Sequence, residues 1–227
     1  MKKILILLLF SLFFSSSIFA HIKHYKNLNK IEMEIFRNGK LIGYSNYFFK
    51  RKGNETIITN QTKFSVKILG TTVFQIDGYS EEKYLNDQLI SFNSKTVQNN
   101  KEKFVDLILN ENSKKFNIKG SSYIGEASID NIIGNWWNHK ILQANSQISP
   151  ISGSLKKQVV TFIGEKKIEQ YGKIYKVDHF TLKSKDLSLP KDKRLDFNIW
   201  YDPENFQIIK VSYTRMGDWE YRLKRIN

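Results

Sequence analysis

Four histidines, His21, His24, His139 and His179, stand in a chain without a single cysteine. Thiolate metal sites are therefore excluded, and imidazole, which suits copper well, is the ligand type to weigh. Cleavage after Ala20 would make His21 an N-terminus whose amine and ring could chelate copper, with His24 or a distant histidine as a third donor. A frayed, solvated terminus is the default for the same residues, so no metal and no other cofactor is expected. Asp178-His179 has two members of a nucleophilic triad, but neighbours on a strand point to opposite faces. The chain lacks Gly-x-Ser-x-Gly, His-Glu-x-x-His, a P-loop and a dinucleotide fingerprint. A non-enzymatic protein is the expectation.

Glu82 is the carboxylate with the most to explain. In "TTVFQIDGYSEEKY" it shares parity with Phe74, Ile76 and Tyr84, the side that should turn inward. A buried carboxylate is costly unless paired. It must meet a Lys, an Arg or a Tyr hydroxyl, or else bind something. Trp136 and Trp137 sit side by side in "GNWWNHKIL", and Ile129, Ile132, Ile133 and Ile141 join them at helical spacing. With Ser128 as N-cap, this predicts a short amphipathic helix over Ile129 to Asn138, weakened by about 1 kcal/mol at Gly134. The two indoles would seal one end of a curled sheet, either as plain core or with one ring facing a cavity. Phe74, Glu82, Tyr84, Trp136, Trp137 and Trp200 are the candidate lining of such a cavity.

The elements that must position these residues are strands, because the dominant period is two. "KIEMEIF" alternates Ile31, Met33 and Ile35 against Glu32 and Glu34, and the Asn38-Gly39 that follows is the strongest short hairpin signal. Further turns fall at Gly53-Asn54 and Gly70. Near the C-terminus Leu195, Phe197, Ile199 and Tyr201 share a face, as do Ile209, Val211 and Tyr213, then Trp219, Tyr221 and Leu223. Asp202-Pro203 suits a type I turn, and Gly217-Asp218 turns again. About ten strands at this spacing, with no βαβ alternation, predict a mainly β fold. The expected form is an antiparallel meander curled into a barrel or half-barrel, with one short helix packed across it.

Residues 1–20 read as a signal peptide: Met1-Lys2-Lys3, an apolar run from Ile4 to Phe14, and a small residue at Ala20. The run is too short to span a bilayer, which needs about 20 apolar residues. Residues 21–227 then form a single β-barrel-like domain, periplasmic or secreted, with no integral membrane segment. The net charge of +14 is carried mostly by scattered lysine, whereas nucleic-acid readers cluster Arg on one face. A nucleic-acid partner is not expected.

Across nearly the whole mature chain a set of segments occurs in a recognisable order. They are "NGKLIGYSNYFF", "ILGTTVF", "SEEKYLNDQLISFNSKTVQNN", "WWN", "YGKIYKVDHFTLKS", "IWYDPENFQIIKVSY" and "MGDWEYRL". In these the chain resembles a family of uncharacterised secreted β-proteins of Gram-negative bacteria, classed as a domain of unknown function. It departs from the family pattern at Tyr84, where Trp is usual, and at Asn86-Asp87, where Gly is common. The resemblance implies an open-barrel shape similar to that of periplasmic lipoprotein carriers, which wrap a sheet around helices and hold acyl chains.

The leading functional expectation is a periplasmic protein that binds a hydrophobic or amphipathic, lipid-like envelope ligand. The alternative is a protein-protein interaction or scaffold module in envelope assembly, using a strand edge or the basic surface. An enzyme acting through Glu82 or a histidine ranks third.

Overall fold

The computed structural model describes residues 25–227. Residues 1–20, read above as a signal peptide, and His21 and His24 lie outside the described residues. Among the described residues fifteen strands are present rather than about ten: β1 (Lys30–Arg37), β2 (Lys40–Lys52), β3 (Glu55–Ile68), β4 (Thr71–Leu85), β5 (Gln88–Gln98), β6 (Lys101–Asn110), β7 (Lys115–Gly120) and β8 (Tyr123–Ser128). After them come β9 (Ile132–Ile133), β10 (Ser146–Ile148), β11 (Leu155–Gln170), β12 (Lys173–Ser184), β13 (Asp196–Asp202), β14 (Gln207–Thr214) and β15 (Asp218–Ile226).

All fifteen belong to one sheet, in the order β8-β7-β6-β5-β4-β3-β2-β1-β15-β14-β13-β12-β11-β10-β9. Every pairing is antiparallel except the short β9–β10 contact. The turns explain the meander. Asn38-Gly39, Leu69-Gly70, Asn86-Asp87, Asn99-Asn100 and Tyr171-Gly172 all have positive φ at both positions, the mirror-image turn geometry whose twist matches that of paired strands. At the β13–β14 turn the Asp202 carboxylate accepts from the backbone N–H groups of Glu204 and Asn205, at 3.0 and 3.2 Å.

The sheet curls but its ladder does not close, so β8 and β9 remain its two edges. The segment between β10 and β11 stitches across the gap. Ser122 N–H donates to Ser152 O at 3.0 Å, and Ser94 Oγ donates to Pro150 O at 2.6 Å. Gly120 permits this approach, because a Cβ there would stand 2.5 Å from Ser152 O. The result is barrel-like, as expected.

The helix is the expectation that fails. Residues 129–138 run as irregular chain around β9, and the helical structure nearby is one 3-10 turn, His139–Leu142. Two forces override the helical period. Gly134 N–H donates to Ile148 O at 2.9 Å, and a Cβ at Gly134 would lie 1.9 Å from Gln147 Oε1. The polar side chains also bond elsewhere: Asn131 accepts from Ser146, Asn135 donates to Glu82, and Asn138 caps Lys140 N–H. Ser128 does cap, but it holds the Asp130 N–H of a turn. Ile133 and Ile141 still bury and Ile129 and Ile132 are half-buried, because the segment packs on the inner face of the sheet.

Two ends of the sheet follow from the meander. The β1–β2, β3–β4, β5–β6, β12–β13 and β14–β15 connections share one end, since Arg37 pairs with both Lys40 and Trp219 and Asn198 pairs with both Thr181 and Ser212. The β2–β3, β4–β5, β6–β7, β11–β12 and β13–β14 connections lie at the other.

A candidate ligand cavity

On β4 the inward parity read from the sequence holds: Ile76, Glu82 and Tyr84 are buried and Phe74 is half-buried. Glu82 is 2% exposed. Its Oε2 accepts from the Tyr84 hydroxyl at 2.6 Å, and its Oε1 accepts from Asn135 Nδ2 at 2.5 Å and Trp137 Nε1 at 2.8 Å. Among the described residues no Lys or Arg pairs with it. Burial pushes its carboxyl up to about 7, against the opposing pull of the Tyr84 and Trp137 hydrogen bonds. The carboxylate ties the threaded segment to β4.

The two tryptophans part company at a bend in the irregular chain that follows β9. Trp137 is 1% exposed and lies edge-on to Tyr25, Phe49 and Tyr84, at centroid distances of 5.4, 5.6 and 6.0 Å. Trp136 points the other way. It packs edge-on against Phe197 at 5.1 Å, and its backbone N–H donates to the Tyr47 hydroxyl at 3.2 Å.

Above Trp136 lies a cavity of about 950 Å³. One wall, from β3 to β5, carries hydroxyl and amide groups: Asn60, Thr62, Ser80, Ser94, Thr96 and Gln98. Phe64 and Phe74 stand on the same strands, and Trp136, Phe197, Tyr213 and Tyr221 add further aromatic lining. Asn135 lines the base, and its Oδ1 is buried without a hydrogen-bond partner among the described residues. The cavity reaches Leu187, Arg194 and Arg215, so its mouth is at the end that carries the β12–β13 and β14–β15 connections. A smaller cavity of about 350 Å³ lies toward the β4–β5 turn, lined by Tyr84, Asp87, Ile129 and Lys140. Burial lowers the Lys140 ammonium there.

Of the six candidate lining residues, Phe74 and Trp136 face the larger cavity and Tyr84 the smaller one. Trp137 is core, and Glu82 sits beneath the cavity base. Trp200 is elsewhere: its ring stacks on His179 at 4.9 Å and lies under Lys210 Nζ, also at 4.9 Å. It alternates with Ile199 and Tyr201, which face the inner cluster containing Trp136. Tyr47, Phe64 and Tyr213 are absent from the candidate set, although strand parity carries the signal for each. Phe197 shares its inner face with Ile199, as the alternation of β13 indicates. His179 Nε2 lies 2.9 Å from Asn198 Oδ1, on a strand neighbour rather than beside Asp178. Among the described residues no group of three or more His, Cys, Asp or Glu side chains is placed to hold a metal ion.

Residues 33–224 match the family described as Domain of unknown function (DUF6134). The chain belongs to that family. The resemblance to a β-protein family of unknown function thus holds, and it spans the whole sheet from β1 to β15. The fold is similar to that of a beta-barrel-like protein of the domain of unknown function DUF1849 from Brucella abortus. The TM-score is 0.57 at 11% identity, covering 87% of this chain and 95% of that one. A protein with a YmcC-like fold from Bacteroides fragilis, described as a candidate exported protein, aligns with a TM-score of 0.36 at 10% identity. That alignment covers 87% of this chain and 94% of that one. No curated protein matches the chain. No helix among the described residues is long and apolar enough to cross a membrane.

Proposed function

We propose that this is an exported, periplasmic, non-enzymatic protein whose curled sheet holds an amphipathic, lipid-like envelope ligand. The observation that carries the reading is the cavity above Trp136, lined by both aromatic rings and hydroxyl and amide groups. Its volume falls in the roughly 300–1,000 Å³ range of small-molecule sites, which combine apolar lining with a few placed polar groups. An amphipathic ligand satisfies both kinds of lining, whereas a pure hydrocarbon would strip water from the Ser80 and Thr96 hydroxyls without replacing their hydrogen bonds. A binding role also suits the titratable groups: the Glu82 carboxylate is occupied by three donors below the cavity, and His179 is stacked on Trp200 away from it.

Native mass spectrometry of protein purified gently after export tests the proposal. A discrete extra mass, released on denaturation, is expected, and its fragments name the ligand. A bare polypeptide that also fails to take up an added lysophospholipid would sink the reading and favour the scaffold alternative. The unpaired edge of β8, with Ile124 77% exposed, is the surface such a scaffold would use.

A further inference from the structure

Positive φ is where L-residues other than Asn, Asp and Gly are seldom found. The described residues place five such side chains there: Leu69, Lys114, Tyr171, Phe206 and Met216. Three have a visible reason. Lys114 is a charged side chain in solvent, the Tyr171 hydroxyl donates to Glu34 at 2.6 Å, and Phe206 packs on His139. Leu69 and Met216 have none: they are 101% and 89% exposed. Backbone preference and the hydrophobic effect both argue against these residues at these turns. Both turns lie at the mouth end of the sheet. Leu187, 67% exposed, stands on the cavity mouth itself.

The same end is basic. The connections 37–40, 67–71, 98–101, 184–196 and 214–218 hold nine Lys or Arg against four Asp. Those of the opposite end, 52–55, 85–88, 110–115, 170–173 and 202–207, hold four against five Asp or Glu. The charge asymmetry follows the exposed aliphatic tips.

We infer that the mouth end docks on an anionic lipid bilayer, with Leu69, Leu187 and Met216 entering the head-group region while the surrounding Lys and Arg meet the lipid phosphates. Separate aliphatic tips around a rim suit a fluid interface, which accepts an apolar side chain at any lateral position. A folded protein partner would need a matching pocket for each tip. The basic end supplies the attraction to anionic head groups, and the tips supply apolar area. In this pose the cavity opens toward the bilayer, so an amphiphile can pass between them. That purpose rests on the proposed function, whereas the docking surface does not.

Flotation of the exported protein, its mass confirming loss of residues 1–20, tests the surface with two vesicle preparations. One contains phosphatidylglycerol in phosphatidylcholine, the other phosphatidylcholine alone. Association with the anionic vesicles is expected, at least tenfold above the neutral ones, and release in about 1 M salt, where screening acts within about 3 Å. Leu69→Asn with Met216→Asn should cut the bound fraction at least fivefold. Asn tolerates positive φ, so the unfolding midpoint should be kept or raised, which separates lost docking from lost folding. Lys191→Gln with Lys193→Gln, both exposed, should weaken anionic binding alone. Equal binding to both vesicles, binding to neither, or undiminished binding of the Asn variant overturns the inference. A protein that carries a ligand by mass spectrometry yet ignores vesicles refutes docking and leaves the cavity reading standing. Vesicle binding by a protein that takes up no amphiphile does the reverse.

Discussion

Trp137 Nε1 donates to Glu82 Oε1 at 2.8 Å, joining residues 55 positions apart in the chain. This contact fixes the threaded segment 129–138 to the inner face of β4, and it sets which of the two adjacent indoles is structural. Everything above it, including the exposure of Trp136 to the cavity, depends on that anchoring.

The Glu82 carboxyl should make stability fall as pH rises. Its folded value, about 7, lies above the ordinary 4.5, so the folded state holds a proton that the unfolded chain has released between those limits. The stabilisation is complete below about pH 4.5 and is lost as pH passes through 7, on the order of 3 kcal/mol in total. Glu82→Gln keeps an acceptor for Trp137 and Asn135 and cannot ionise. Urea unfolding from pH 5 to 8 should show this decline in the parent chain and a much flatter profile in the variant. Parallel profiles would show that Glu82 does not titrate in this range.

Substituting the two tryptophans should separate stability from binding. Trp137→Ala empties the centre of the core and leaves Glu82 one donor short, so a loss of about 3–5 kcal/mol is expected. Trp136→Ala opens the cavity wall instead and should cost about 1–2 kcal/mol, while lowering affinity for an added lysophospholipid about tenfold. Denaturant titration and ligand titration of the same two variants check both halves.

Gly134→Ala should cost about 1–3 kcal/mol by overpacking. A Cβ at Gly134 lies 1.9 Å from Gln147 Oε1, and Gln147 cannot simply swing away because its Nε2 donates to Gln158 Oε1 at 2.6 Å. In a Gln147→Ala background the glycine substitution should be almost free. A double-mutant cycle with no coupling would place the strain elsewhere.

Tyr47→Phe removes the oxygen that accepts the Trp136 N–H. A buried donor left without a partner costs about 1–3 kcal/mol. Faster hydrogen exchange at the Trp136 amide, seen by NMR, is the specific readout, since a general loss of packing would speed exchange across the sheet.

Much of this architecture is legible in the chain order. Alternation places Phe74, Ile76, Glu82 and Tyr84 on one inner face, and the Asn-Gly and Asp-Pro signals mark turns that the structure shows. Period and turn chemistry are local properties of the backbone, and a meander needs little else. The helix expected over 129–138 fails for the same reason. Ile133, Ile141 and Trp137 do bury, but periodicity cannot register that Gln147 crowds Gly134, or that Asn135 bonds to Glu82.

Trp200 shows the other kind of limit. The register shift between Trp200 and Tyr201 and the stack on His179 involve neighbouring strands, so its aromatic character alone could not say which face it takes. By itself, then, the sequence determined strands, turns and inward parity, because these follow from steric preferences and apolar alternation along the chain. Tertiary structure alone decided that the sheet stays open, that Trp137 is sealed while Trp136 lines a cavity, and that Leu69, Leu187 and Met216 gather at one basic end. Each of those outcomes rests on contacts between residues far apart in the chain, and local pattern carries no record of them.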